Sequence, residues 1–282
     1  MRAAGIGAWW NQYGSLSLTQ CVERARLLPL QYIIVKDGYL AYENAYRAAG
    51  IPVAIERFVY PDQAYLEGLM LANAVARGTR FIVVNAEEWA GWSLAAPMRV
   101  LLDALYEKYP DVEVYASVDT RGGRNLLPFQ RELITRSVGV MPMIYPKAFR
   151  PEVPFGYVAQ AFADCLDGQE FYGKTVIPTI QAYDNIGWAA VGLEILEAQQ
   201  RNLHSLNIYT IGHATDEEWY MAEEAEVASE IEQLKSTIAL KELSVAMRDG
   251  LIADLLTGKY HVRLLPSLQR VLELPSGKEL VI

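Results

Sequence analysis

The stretch "FIVVNAEEWAGW" at residues 81–92 governs the reading of the whole chain. Four apolar residues, most of them β-branched, run directly into Asn85, Ala86, Glu87, Glu88 and Trp89. A short apolar run without alternation suits a strand covered on both faces. Its abrupt release of an amide, two carboxylates and an indole suits the working end of a parallel sheet.

The same pattern recurs on either side. Before it come "AGIGAWW" (4–10), "YIIVK" (32–36) and "IPVAIERF" (51–58), and "RFIVVN" (80–85) is the fourth strand. After it come "VEVYASVD" (112–119), "SVGVMPMIY" (137–145), "TVIPTIQAY" (175–183) and "SLNIYTIG" (205–212). Amphipathic helical segments separate them. "SLSLTQCVERARLLP" has a Ser/Thr start, "AYENAYRAAG" ends on Gly50, and "DQAYLEGLMLANAVARG" opens on an Asp cap and stops at Gly78. Eight strand–helix units predict an α/β chain folded as a (β/α)8 TIM-type barrel over residues 1–215. A doubly wound open sheet is the competing arrangement, and the lack of a Gly-rich phosphate turn after the first strand weighs against it.

Beyond that rhythm, residues 216–282 form a C-terminal helical extension with a terminal β-hairpin. Val227, Ile231, Leu234 and Ile238 take the spacing of a coiled-coil seam, and the stripe resumes at Leu243, Met247, Leu251 and Leu255. "RVLELPSGKELVI" turns at Pro275-Ser276-Gly277. The long helix has two readings: an element for homo-oligomerisation or docking of a structural partner, and a helix packed on its own barrel.

Composition narrows the function. With 282 residues, 52% of them hydrophobic, the chain can bury a large core. A net charge of −9 argues against a nucleic-acid partner, which needs concentrated Lys and Arg. No apolar stretch is long enough to span a membrane, and no cleavable signal peptide is visible. "MRAAGIGAWWNQYG" reads instead as the first strand, and the chain as soluble, in the cytoplasm or associated with a virion. Cys21 and Cys165 read as buried thiols. His204, His213 and His261 are scattered, so no metal site is expected. No cofactor is expected either: dinucleotide fingerprints and G-x-S-x-G elbows are absent, and Lys36 alone is too little for Schiff-base chemistry.

The C-terminal ends of the strands then give a rim. The strands deliver Trp9, Trp10 and Asn11, then Lys36 and Asp37, then Glu56, Arg57 and Tyr60. Next come Asn85, Glu87, Glu88 and Trp89, Asp119 and Arg121, Met143 and Tyr145. Gln181, Tyr183 and Asp184, then Tyr209 and His213, complete it. Aromatic faces stack on sugar rings while amides and carboxylates bind hydroxyl groups, so a polysaccharide or peptidoglycan-type glycan is the expected ligand.

Cleaving a glycosidic bond takes a carboxylic acid and a second carboxylate. Glu87, two residues past Asn85, is the expected acid. Surrounding Trp and Tyr rings would desolvate it and hold its proton near neutrality. Asp119 is the expected second carboxylate, with Asp37, Glu56 and Asp184 as rivals. Asn85, Tyr145 and Gln181 would position hydroxyl groups, and Trp9, Trp89 and Tyr183 would form the stacking platform. The plainer alternatives are a rim carboxylate at Glu87 held by Asn85 and an Arg, and a turn-forming Asp at 119.

"FIVVNAEEW", "VMPMIYP" and "VIPTIQAYD" resemble the strand ends of glycoside-hydrolase-like (β/α)8 domains of bacteria and phages. More distantly, they resemble the lysozyme-type barrels of glycoside hydrolase family 25. The resemblance covers roughly residues 4–215. It lays the family 25 Asp-x-Glu pattern on Asn85-Ala86-Glu87 and so implies that Glu87 is the general acid. The family's first-strand Asp has no counterpart in "GIGAWWN", nor its last-strand Asp in "LNIYTIG". The strand-seven Glu of retaining cellulase-type barrels is missing from "TIQAYD". Two expectations follow. One is a glycoside hydrolase with an unconventional second carboxylate. The other is a non-catalytic glycan-binding or structural protein, such as a phage tail or surface component, on a degenerate barrel.

Overall fold

The computed structural model describes residues 5–11, 14–27, 30–79, 81–86, 94–120, 126–146, 158–183, 186 and 188–215. The helical extension and hairpin expected over 216–282 lie outside them, as do Glu87, Glu88, Trp89, Arg121 and Asp184.

The strands are β1 (Ile6–Trp10), β2 (Tyr32–Lys36), β3 (Val53–Phe58), β4 (Ile82–Asn85), β5 (Val114–Val118), β6 (Gly139–Ile144), β7 (Thr175–Val176), β8 (Thr179–Gln181) and β9 (Leu206–Tyr209). Every pairing is parallel, from β1 through β6, and β9 pairs with both β8 and β1. The sheet therefore closes into a barrel. The helices are α1 (Leu18–Leu27), α2 (Leu40–Ala48), α3 (Ala64–Ala76), α4 (Ala95–Lys108), α5 (Pro128–Arg136), α6 (Val158–Leu166) and α7 (Trp188–Gln200). None of the described helices is long and apolar enough to cross a membrane.

One expected strand is divided. The run 175–183 forms two pieces that pair with different parts of β6, β7 at Gly139–Val140 and β8 at Met143–Ile144. Pro178 sits in the break, has no N–H to give to a ladder, and interrupts the pairing there. The backbone remains tied across it: Ile177 N donates to Val140 O at 2.8 Å, and Asn207 N donates to Pro178 O at 2.8 Å.

Two apolar layers explain the runs without alternation. Ala8, Trp10, Ile33, Val35, Ile55, Ile82 and Val84 face the helices. Trp9, Tyr32, Ile34, Ala54, Phe81, Val83, Tyr115 and Met141 fill the barrel interior. Within that interior the Tyr32 hydroxyl donates to Asn207 Oδ1 at 2.7 Å. Gly7 makes room for the ring, since a Cβ there would lie 2.2 Å from Tyr32 Cε2.

The helix signals hold with one exception. At α1, Gln20 Oε1 accepts from Ser17 N at 2.9 Å, and Ser17 Oγ from Gln20 N at 3.4 Å, which closes a capping box. Gly50 and Gly78 take positive φ (79° and 83°) just past α2 and α3, as C-terminal caps require. Asp62, expected to cap α3, instead lies in a short 3-10 turn, Pro61–Gln63; Gln63 holds the cap position without a side-chain bond. Both cysteines are free and buried.

Candidate active site

A cavity of about 410 Å³ opens at the C-terminal ends of the strands. Strand phase decides which side chains enter it. Tyr32 and Ile34 point inward, so Lys36 follows them in; Ala54 brings Glu56 and Phe58, and Val83 brings Asn85. The opposite phase turns Asp37 and Arg57 away from the interior.

Arg57 and Asp37 belong to an ion-pair network outside the barrel. Arg57 Nη1 meets Asp37 Oδ2 at 2.7 Å, and its Nε binds Glu67 of α3. Arg77 holds Asp37 Oδ1 at 2.7 Å and Glu43 Oε1 at 3.1 Å. Burial pulls the Arg57 guanidinium down, but Glu67 and Asp37 more than offset this and leave it raised. Asp37, held between two guanidinium groups, does not line the cavity.

Aromatic rings crowd one side of the cavity. Tyr145, Tyr183 and Tyr209 contact each other with centroids 5.4 to 5.7 Å apart, and Trp9 lies 5.9 Å from Tyr209. Asn11 Nδ2 donates to the Tyr209 hydroxyl at 2.7 Å, which fixes that ring. Offset and edge-on packing of this kind gives a rigid apolar wall with polar tips. The paired tryptophans differ in phase: Trp9 belongs to the interior and Trp10 stacks on Tyr42 at 3.8 Å against the helix-facing core, while both reach the cavity at the strand end.

Of the residues the sequence singled out, Trp9, Asn85, Tyr145 and Tyr183 line the cavity. Gln181 is fully buried and does not line it. Its backbone N–H donates to Glu194 Oε2 at 2.8 Å, and its Nε2 donates to Tyr183 O at 3.3 Å, which supports the aromatic wall from behind. Asp119, half-buried just past β5, lies outside the cavity lining. Glu87 and Trp89 are not among the described residues.

Glu56 is the one carboxylate among the described residues that lines the cavity, and only 7% of it is exposed. Lys36 stands beside it in register on β2. Ser117, Tyr209 and His213 also reach the cavity. Lys36, Tyr209 and His213 were on the rim by position alone, whereas Glu56 was also a rival for the second carboxylate. The missing signal was strand phase. No group of three or more His, Cys, Asp or Glu suited to a metal ion occurs among the described residues.

No protein-family model matches the sequence, and no curated protein matches it in sequence. Its fold is nevertheless shared. A chitinase from Chromobacterium violaceum superposes with a TM-score of 0.59 at 14% identity, over 80% of this chain and 99% of the other. The catalytic domain of a hyperthermophilic chitinase from Pyrococcus furiosus gives 0.54 at 13%, over 80% and 95%. The spore cortex-lytic enzyme SleL of Bacillus megaterium gives 0.57 at 10%, over 79% and 74%. At these identities the likeness establishes the barrel fold alone. Nothing in it singles out the lysozyme-type barrels of family 25.

Proposed function

We propose that the chain is a glycoside hydrolase acting on a polysaccharide or cell-wall glycan at the C-terminal face of its barrel. The observation that carries this reading is the cavity itself. Tyr145, Tyr183, Tyr209 and Trp9 wall it, and the amide of Asn85 and the carboxylate of Glu56 share it. Its volume lies within the range of small-molecule sites. Chitinases and a cortex-lytic enzyme with the same fold support a glycan as substrate.

In this reading Glu87, two residues beyond Asn85, protonates the departing glycosidic oxygen. Glu56 has direct access to the cavity and is the better placed assisting carboxylate, with Asp119 the alternative. Tyr145, Tyr183, Trp9 and Trp89 stack against sugar rings, and Asn85 binds a hydroxyl or amide of the bound sugar. Gln181 acts indirectly, by holding Tyr183.

The test is reducing-end release from chitin oligosaccharides and peptidoglycan, comparing the wild type with Glu87→Gln. Loss of a general acid costs roughly 10²- to 10⁴-fold in rate. Glu56→Gln and Asp119→Asn, run in parallel, identify the second carboxylate. One observation favours the rival reading, a non-catalytic glycan-binding or structural protein: Tyr32 fills the space beside Gly7 where a first-strand acid would stand. Retention of both wild type and Glu87→Gln on an insoluble glycan, with no cleavage by either, would establish that rival.

A further inference from the structure

We propose that Lys36 is a carboxylate-binding residue that directs the cavity toward glycans carrying an acidic sugar. The inference rests on the glycan reading above and names the class of sugar.

Lys36 ends β2 in the inward phase set by Tyr32 and Ile34, is half-buried, and lines the cavity. Among the described residues its ammonium makes no ion pair and no hydrogen bond. Neighbouring cations behave otherwise. Arg57 is held by Asp37 and Glu67, Arg77 by Asp37 and Glu43, and Arg47 by Glu43. A cation with its stem against a cavity wall and no protein anion on its head is arranged for an anion that arrives with the ligand.

The surroundings limit that anion to a single charge. Glu56 stands opposite Lys36 in register on β3 and lines the same cavity, so the site already holds an acidic side chain. A dianionic phosphate is less favoured beside that side chain, and among the described residues neither a second Lys or Arg nor a Gly-rich turn lines the cavity to offset it. A monoanionic carboxylate matches one ammonium. The chain's net charge of −9 also disfavours densely charged polyanions, which leaves a glycan whose carboxylates alternate with neutral sugars. The aromatic wall takes the ring faces, and Lys36 takes the acid.

Two chemical sources supply such a group: a uronic acid, and the lactyl ether of a muramic residue freed of its peptide. The test is calorimetric binding to hyaluronan oligosaccharides and to peptide-stripped peptidoglycan strands. Each is paired with its carboxyl-reduced counterpart, which keeps the backbone and loses the charge. For the wild type, one or both acidic ligands bind roughly 10- to 100-fold more tightly than the reduced partner, as expected for a charge-assisted hydrogen bond. In Lys36→Met that ratio collapses to within about twofold of unity, and in Lys36→Arg much of it returns. Lys36→Gln repeats the measurement if Lys36→Met fails to fold, as judged by thermal unfolding.

Preference for one acidic pair alone would identify the source of the carboxylate. Equal binding of acidic and reduced ligands by the wild type would overturn the inference and leave the glycan reading intact. An unchanged ratio in the Lys36 variants would overturn it in the same way. Failure of all four ligands to bind would overturn the inference, and failure of chitin oligosaccharides to bind as well would remove the glycan reading with it.

Discussion

Replacing Arg57 with Met strands a carboxylate. Glu67 projects from α3 with 2% of its side chain exposed, and Arg57, at 20%, is bound to it. Asp37, the other partner, is 11% exposed and keeps Arg77, so most of the damage falls on Glu67. Breaking a buried pair from one side costs about 3–5 kcal/mol, because the remaining charge loses its partner without regaining water. For a barrel of this size that lowers Tm by roughly 6–20 °C, at about 2–4 °C per kcal/mol. The reciprocal change is milder. Glu67→Gln leaves Arg57 still bound to Asp37 and partly hydrated, at a cost of about 1 kcal/mol. The double variant Arg57→Met/Glu67→Gln removes both charges and recovers most of the loss, with a coupling energy above about 2 kcal/mol. Urea unfolding followed by far-UV circular dichroism measures all four corners of the cycle. A cost below about 1 kcal/mol for Arg57→Met would place the pair with exposed surface bridges and refute the burial argument.

Gly7→Ala places a Cβ 2.2 Å from Tyr32 Cε2 and 2.5 Å from Asn207 Oδ1, and the hydrogen bond between those residues blocks relaxation. Overpacking of this kind costs about 1–3 kcal/mol, and Tyr32→Leu in the same chain relieves much of it; thermal unfolding of the pair reads this directly. Gly7→Asp, which restores the missing first-strand acid by sequence, is expected to destabilise at least as much and to give no gain in glycan cleavage. The Tyr106 hydroxyl donates to Arg136 O at 2.8 Å, and burial pushes its pKa up to about 12, with Arg136 pulling it partly back. The folded state then keeps a proton that the unfolded chain sheds near the ordinary tyrosine value of 10. That stability is fully present below pH 10 and is lost as pH rises toward 12, up to about 3 kcal/mol in all. Urea midpoints from pH 8 to 11.5 should fall accordingly, and less steeply in Tyr106→Phe.

The barrel was legible because its strands are buried on both faces. Runs such as "YIIVK" and "FIVVN" stand out against the helical segments and recur eight times, and the C-terminal-end rule converts them into a rim. The division of the seventh strand was visible in principle. Pro178 interrupts "TVIPTIQAY", and a proline inside a central strand argues against unbroken pairing.

The same double burial that reveals the strands conceals their phase. Where apolar residues occupy both faces there is no alternation to read, so Lys36 and Asp37 are equivalent in sequence, as are Glu56 and Arg57. Packing separates them. Tyr32 and Ile34 occupy the interior, which commits Lys36 to the cavity and Asp37 to the arginines. Depth is hidden as well. Gln181 shares the phase of Tyr183 yet sits wholly beneath the cavity lining, and Asp119 shares the phase of Ser117 yet lies beside it. How far each strand carries its last inward residue depends on stagger around the barrel, which no single strand encodes. One strand sets that stagger most sharply. The break at Pro178 lets β8 pair with Met143–Ile144, so the segment leading to Tyr183 registers with the end of β6 and meets Tyr145 there. A proline that weakens a strand thereby helps to assemble the aromatic wall on which the proposed glycan would stack.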